Sequence, residues 1–269
     1  MSVAAPGALQ PRVDRAQLGA YARPGGLIVY VAVFLYVDSR LQSIAVQAAM
    51  GVMTFGVLVL CGMAMAPRER RQLCLLILFA TGLELVSSQL WGVYRYRFGN
   101  VPFYIPPGHG IVFVLSLWLA RTPLLHTSQQ RAKRLVLIGS GVWALAGISV
   151  LPPLTGRLDM EGALLWPIFA FFILRTERAL FFAAVFLVTS AVELYGVALG
   201  DWVWTPVAPY LRTPGGNPPS VIAGAYCVLD ASVFGVLVVM PALARRRVRR
   251  ALHGAEVPVE VPPVTSTVE

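Results

Sequence analysis

The chain carries little charge for its length, and this shortage decides its broad class. Only 13% of its 269 residues are charged, whereas 57% are hydrophobic. Soluble domains average about 25% charged residues, and so apolar a chain cannot hide its hydrocarbon inside one small core. Lipid must therefore be the solvent for much of its surface, which excludes an ordinary soluble protein.

Lysine, histidine and cysteine are also scarce, and each shortage excludes a kind of chemistry. Lys133 is the only lysine and lies in a polar segment, which excludes a retinal Schiff base within a helix. The three histidines show no metal-ligand spacing on one helix face, so neither a metal site nor a cofactor is expected. The sequence also lacks a glycine-rich phosphate loop, a nucleophile elbow and an aspartate-rich diphosphate site. The three cysteines lie in apolar runs, where we interpret them as packing residues.

What the chain does have is a series of long apolar runs. A membrane span needs about 20 apolar residues. The runs lack the period-2 alternation of a membrane barrel, so backbone hydrogen bonding within lipid requires helices. We predict an all-α, polytopic transmembrane helical bundle of about eight helices. The predicted spans are 24–41, 45–66, 72–93, 108–125, 135–152, 160–175, 178–199 and 219–243.

The basic residues predict how these spans are oriented. With the N-terminus in the cytoplasm, the cytoplasmic segments hold 17 of the 22 arginines and lysines, and the other face holds 5. This asymmetry is typical of multi-pass proteins of the cell inner (plasma) membrane, with both termini cytoplasmic. Membrane lipids are the expected partners and nucleic acid is not, while the oligomeric state is not indicated. The predicted divisions are a leader (1–23), a transmembrane domain (24–243) and a basic, then disordered, tail (244–269).

An internal repeat divides the transmembrane domain. A glutamate, Gly-x-aromatic-x-aromatic, Pro-aromatic and Pro-Gly occur twice in the same order, with two one-residue gaps. The first set is Glu84, Gly92, Tyr94, Tyr96, Pro102, Phe103, Pro107 and Gly108, and the second is Glu193, Gly200, Trp202, Trp204, Pro209, Tyr210, Pro214 and Gly215. This order predicts two parallel four-helix halves, 24–125 and 135–243, related by an axis along the membrane normal.

The repeated motif also supplies the candidate site. Glu84 and Glu193 are predicted in the outer half of the bilayer, where a carboxyl group is costly and is a functional candidate as an acid or base. The alternative is that each glutamate ties neighbouring helices together. We expect the two carboxyl groups to approach one another across the repeat axis. Candidate ligand-binding residues are Tyr94, Tyr96, Trp202, Trp204, His109, Asn217 and Asp230.

Several of these candidates have a plainer interpretation. The aromatic residues suit an interfacial aromatic belt as well as the lining of an apolar ligand site. His109 and Asn217 lie in two Pro-Gly segments, Pro106 to Gly110 and Pro214 to Pro219, which we predict to be interfacial or re-entrant turns. Asp230 falls near the middle of the last span and has no counterpart in the first half.

The glutamate followed by Gly-x-aromatic-x-aromatic and prolines resembles bacterial carotenoid-biosynthesis membrane proteins of the hydratase type. The segment Gly216 to Pro219 also resembles a Gly-Asn-Pro-Pro loop in other bacterial membrane proteins. The resemblance covers roughly 30 residues in each half. It implies acid-assisted chemistry on a polyene or another isoprenoid, with Glu84 and Glu193 as proton donors.

Three functions remain open from the sequence. The first is a lipid-modifying enzyme, for which a lipid-accessible cleft between the third and seventh spans is expected. The second is a proton- or cation-coupled transporter of small molecules, which requires a polar path to both faces. The third is a non-catalytic membrane component whose carboxyl groups hold helices together.

Overall fold

A computed structural model describes residues 15–209 and 211–254, with the side chains of residues 19–209 and 211–239. The all-α class is confirmed, since 75% of the described residues are helical. The helices are α1 (Arg15–Arg40), α2 (Ile44–Met63), α3 (Pro67–Glu84), α4 (Ile105–Ala120), α5 (Pro123–Thr127), α6 (Gln129–Ile148), α7 (Pro152–Thr155), α8 (Met160–Arg175), α9 (Ala179–Leu199) and α10 (Ala223–Gly254). A π-helical segment, Leu85–Leu90, continues α3.

Four helical segments in the described residues are long and apolar enough to cross a membrane. Helices of this length and composition are typical of a membrane protein. The four segments are Gly19–Arg40, Ile44–Met63, Pro67–Leu90 and Ala179–Leu199. Two shorter apolar helices, Ile105–Ala120 and Ala223–Val239, lie between and after them. The remaining predicted runs contain α6, which opens with charged residues, and α8, which has only 16 residues.

The distribution of side chains within the bundle suits a lipid environment. Large apolar residues point outward and are well exposed, as at Leu60, Met63 and Leu78. Carboxyl groups are buried inside, including those of Glu84 and Glu193. Apolar surface costs nothing in lipid, whereas polar groups must find partners or water within the bundle.

Two short strands close one end of the bundle. Strand β1 (Tyr94–Tyr96) pairs with β2 (Trp202–Trp204) in an antiparallel ribbon, in which Arg95 lies opposite Val203. We call this the strand end; α1, α6 and α9 finish there, and α4, α8 and α10 begin there. At the opposite end, Arg121 at the end of α4 forms an ion pair with Glu69 near the start of α3.

Loops at the strand end are held by buried polar groups. Asp159 caps α8, where its Oδ1 accepts from the backbone N–H groups of Gly162 and Gly216, each at 3.0 Å. Its Oδ2 accepts from the N–H of Ser220 at 2.7 Å. One carboxylate therefore fixes the loop before α10 to the start of α8.

The structure differs from the sequence prediction in some places. The segment Pro106 to Gly110 lies within the first turns of α4 rather than in a separate turn, because proline fits the first helical positions, which need no N–H. Helix α10 continues through the basic segment to Gly254. Residues 15–23 of the predicted leader belong to α1. Residues 1–14, Tyr210 and 255–269 lie outside the described residues, and with them the rest of the leader and the part of the tail that was predicted to be disordered.

Candidate functional site

A cavity of about 440 Å³ lies inside the bundle beneath the strand ribbon. This volume falls within the range of sites that hold small organic molecules or part of a lipid chain. Glu84 and Glu193 both line it, together with the aromatic residues of β1 and β2. Most of the other lining residues are aliphatic, and the majority of these come from α1, α3, α4, α8 and α10.

Glu84 is held by the two tyrosines of its own half. The hydroxyl of Tyr94 donates to Oε2 at 2.9 Å, and that of Tyr96 donates to Oε1 at 2.7 Å. Burial, followed by the nearby Glu84 carboxyl, raises the pKa of both phenols above the ordinary value. The phenols therefore stay protonated and act as donors, so both oxygens of Glu84 are occupied.

Glu193 has a different set of donors. The indole N–H groups of Trp202 and Trp204 both donate to its Oε2, at 2.9 Å and 3.1 Å. Its Oε1 accepts no hydrogen bond from the described part of the chain, although the residue lines the cavity. Because an indole can donate but cannot accept, a proton on this carboxyl group can only reside on the Oε1 side.

The strand ribbon brings these four aromatic rings together. Alternation along each strand turns the aromatic residues inward and leaves Arg95 and Val203 exposed. Across the ribbon, the rings of Tyr94 and Trp204 have centroids 4.6 Å apart, and those of Tyr96 and Trp202 are 6.2 Å apart. The two glutamates thus reach one cavity through separate, interlocked aromatic pairs.

The sequence candidates outside the strands separate into two groups. His109 lines the main cavity, and its ring stacks on Tyr226 with centroids 5.6 Å apart. Asn217 does not line the cavity; its Oδ1 instead accepts from the backbone N–H of Trp204 at 2.9 Å and so positions β2. Asp230 lies in a separate small cavity beside His109 and Tyr226. Asn217 therefore supports strand β2 without lining the main cavity, and Asp230 lies next to that cavity rather than in it.

The charged residues next to the motifs do not contact the glutamates. Arg97 donates to the carbonyl groups of Ser39 and Leu41 at 3.1 Å and 2.7 Å, and also to that of Asp38, and thereby caps α1. The Asp38 carboxyl accepts from Gln47 at 2.9 Å and from the Tyr104 hydroxyl at 2.8 Å. Together these side chains form a polar cluster that supports the ribbon from one side.

Asp201 is buried beside this group, and no hydrogen bond reaches its carboxyl oxygens from the described residues. Burial, followed by the Asp38 carboxylate, raises the pKa of Asp201 to about 7. A carboxyl group with this pKa gains or loses its proton near neutral pH. The base of the ribbon is therefore sensitive to pH.

Sequence reasoning missed three tyrosines on the cavity wall, namely Tyr30, Tyr104 and Tyr226. The sequence could have indicated Tyr226, because this residue lies one helical turn before the candidate Asp230 and so shares its helix face. No comparable sequence pattern indicated Tyr30 or Tyr104. The hydroxyl of Tyr30 is 2.9 Å from Oγ1 of Thr54, and this pairing joins α1 to α2 across a distance that periodicity does not reveal.

Among the described residues, no three His, Cys, Asp or Glu side chains cluster as a metal site would require. Comparison of the chain with known protein families, curated proteins and solved structures gives no match.

Proposed function

We propose that this protein is a membrane enzyme that protonates a carbon–carbon double bond of an isoprenoid lipid, with Glu193 as the acid. The observation that carries the proposal is that two carboxyl groups line one cavity inside a membrane-type bundle. The rest of the cavity wall consists mainly of aliphatic and aromatic side chains. An apolar cavity favours a hydrocarbon ligand over a polar solute. The carboxyl groups are then the groups able to start a reaction on that hydrocarbon.

The free oxygen of Glu193 assigns the roles within the pair. The π electrons of the double bond take the Glu193 proton and form a C–H bond, which leaves a carboxylate and a carbocation on the neighbouring carbon. Water then adds to the cation and releases one proton, or a neighbouring C–H bond releases its proton and restores a double bond. Glu84, held by two phenol donors, supplies negative charge beside the cation without having to release its own partners.

The aromatic rings of the ribbon suit such an intermediate. The faces of Trp and Tyr rings attract cations, with about 2 kcal/mol or more per contact when water is excluded. Tyr94, Tyr96, Trp202 and Trp204 all line the cavity that holds the carboxyl groups. A positive charge forming on the substrate is therefore stabilised where it arises.

We also propose that the bundle is built from two parallel repeats. The register supports this, because Arg95 and Val203, which are 108 positions apart, form the central pair and the flanking pairs exchange symmetrically. A local twofold axis through this pair relates Tyr94 to Trp202 and Tyr96 to Trp204. The π-helical segment Leu85–Leu90 absorbs the one extra residue between Glu84 and Gly92, since a π turn accommodates an insertion of one residue.

The proposed orientation places the strand end outside the cytoplasm. Five arginines, Arg40, Arg95, Arg97, Arg157 and Arg212, belong to segments at the strand end, and the other 17 basic residues lie in the remaining loops and termini. The positive-inside rule then puts both termini in the cytoplasm of a plasma membrane. The catalytic cavity would open in the outer leaflet, where an isoprenoid can enter from the side.

The test uses purified protein in lipid nanodiscs, an acyclic polyene such as squalene or lycopene, and D₂O. We expect mass spectrometry to show deuterium bound to carbon in the recovered lipid. Glu193→Gln should abolish this incorporation, while Glu84→Gln should reduce it by about 100-fold or more because a positioned group that stabilises developing charge contributes this much. Trp91→Phe, at an exposed position outside the cavity lining, is the matched control and should leave incorporation unchanged.

Two outcomes would overturn the proposal. Incorporation that persists in Glu193→Gln would show that another group donates the proton. Absence of incorporation in every protein, together with uptake of a labelled solute driven by a pH gradient, would support the transporter instead.

A further inference from the structure

We propose that Asp230, Tyr226 and His109 form a proton route that connects Glu193 to water at the end of the bundle opposite the strands. This inference rests on the proposed function, since it supplies and removes the proton that Glu193 exchanges with its substrate. It assigns a role to the buried Asp230 and the half-buried Tyr226, which the chemistry in the main cavity does not use.

The first observation is an unpartnered carboxyl group. Asp230 is 5% exposed, and its Oδ1 has no hydrogen-bond partner among the described residues. A buried polar oxygen without a partner costs about 1–3 kcal/mol. Such a group persists where it has a function or where water reaches it.

The second observation is a small cavity at that carboxyl group. It has a volume of about 10 Å³, which is roughly the room that one water molecule needs. Its polar lining consists of His109, Tyr226 and Asp230. One water there can accept from Asp230 and donate to either neighbour.

The third observation is that His109 and Tyr226 line both cavities. They form part of the wall between the small cavity and the main one, with their rings stacked. Tyr226 is close enough to interact electrostatically with Glu193, Glu84 and Asp230. Its hydroxyl, which makes no hydrogen bond to the described residues, is therefore free to pass a proton between the two sides.

The two ring nitrogens of His109 have different hydrogen-bonding roles. Its Nδ1 lies 3.0 Å from the carbonyl oxygen of Ile105, which can only accept. This contact places a hydrogen on Nδ1 and leaves the lone pair on Nε2. Nε2 can therefore accept a hydrogen bond from the water in the small cavity and hold that water in place.

At its far end the route reaches the surface beside Arg178. This residue is exposed, precedes α9, and holds its guanidinium 3.8 Å from the ring centroid of Phe234, one turn beyond Asp230. Arg178 also interacts electrostatically with Asp230. The arginine stabilises the Asp230 carboxylate that remains after each proton has moved on.

The transfer is balanced at every step. The Tyr226 hydroxyl gives its proton to the Glu193 carboxylate and takes one from the water in the small cavity. That water takes the Asp230 proton, and Asp230 regains a proton from bulk water near Arg178. A proton released by the reaction leaves by the same steps in reverse.

A competing entrance exists at the strand end. Glu161 also lines the main cavity, close to Gly215 in the loop before α10. A route through Glu161 would bring protons from the opposite side of the membrane. The experiment must therefore distinguish Asp230 from Glu161.

The test is infrared spectroscopy of the full chain in lipid vesicles after a rapid change from H₂O to D₂O. The carbonyl stretch of a protonated carboxyl group moves to lower frequency when its proton is exchanged. We expect a band that Glu193→Gln removes, and we expect Asp230→Asn and Tyr226→Phe each to slow its exchange about tenfold or more, as is common when a proton-transfer group is lost. Ser232→Ala, an exposed position on the same helix, is the control and should exchange at the native rate.

The outcomes separate the two proposals. If no band depends on Glu193, the proposed acid is wrong and the route has no endpoint. If the band depends on Glu193 but its exchange is unchanged in Asp230→Asn and Tyr226→Phe, or is slowed only in Glu161→Gln, the route is wrong while the acid stands. Equal thermal unfolding temperatures among the variants show that folding is not the cause.

Discussion

At the scale of single residues, the most informative position after the glutamates is Gly196. It lies one turn after Glu193 on α9, and a Cβ atom there would collide with the indole ring of Trp202. The absence of a side chain at Gly196 therefore makes room for a donor to Glu193.

We therefore expect Gly196→Ala to displace the Trp202 ring and lower stability by about 1–3 kcal/mol, the usual cost of overpacking. Thermal unfolding in detergent measures this change. Gly56→Ala is the control, because a Cβ at that exposed helical position meets no atom within 4 Å. Equal unfolding temperatures for the two variants would contradict the packing that we describe.

Asp159 is the second position at this scale, because three backbone N–H groups depend on it. Asp159→Ala should cost at least about 2 kcal/mol, since it leaves buried donors unpaired. Asp159→Asn keeps one acceptor oxygen and should lose less. Chemical unfolding of the two variants measures the difference, and a smaller loss for alanine than for asparagine would be inconsistent with this role.

At the scale of elements, the ribbon of β1 and β2 decides where the site lies. Three residues in each strand are too few to give a sequence signal, and their pairing joins positions about 108 apart. The repeated aromatic spacing nevertheless indicated which residues matter, because inward and outward positions alternate in a strand. The motif was thus predictable from the sequence, while the partner of each strand was not.

The π-helical segment and the PPGHG segment illustrate the same limit. Both positions depend on hydrogen-bond choices at a helix end, where α, π and turn geometries differ little in energy. The one-residue gap between Glu84 and Gly92 in the repeat coincides with the π-helical segment, but the sequence did not specify a π turn there. The prolines before His109 indicated a break, but they suit the first turn of α4 equally well.

The base of the ribbon should make stability depend on pH. The pKa of Asp201 is raised to about 7 in the folded protein, from its ordinary value of 3.8. Such a group binds its proton more tightly when folded, so its contribution is complete at low pH and is lost as pH rises through the interval from 3.8 to about 7.

We expect the unfolding temperature to fall over that interval, and Asp201→Asn to flatten the fall because the amide does not titrate. Thermal unfolding across a pH series provides the measurement. Glu177→Gln, on an exposed side chain, serves as the control and should follow the native curve. Native and Asp201→Asn curves that stay parallel would show that Asp201 does not contribute.

At the scale of the whole molecule, the apolar exterior and the buried carboxyl groups follow from composition alone. Each of the eight apolar runs of the sequence overlaps at least one helix, and four helical segments in the described residues meet the length and composition expected of a membrane span. The cavity could not be predicted, because its wall combines residues from helices far apart in the chain. Tyr226 lines that cavity and Asp230 lines the small cavity beside it, and neither placement was evident from the sequence.

The proposed orientation has a direct test in cells. A membrane-impermeant maleimide added from outside should label Thr213→Cys, at the strand end, and leave Thr127→Cys unlabelled until the membrane is opened. The native Cys61 and Cys227 are buried, and the unsubstituted protein gives the background for Cys74. Labelling in the reverse order would invert the orientation.

Deuterium transfer from D₂O to a polyene carbon is the decisive measurement of whether Glu193 protonates an isoprenoid inside the cavity. We expect incorporation with the native protein in nanodiscs and none with Glu193→Gln, while both proteins remain folded. Equal incorporation in the two proteins would contradict this role of Glu193.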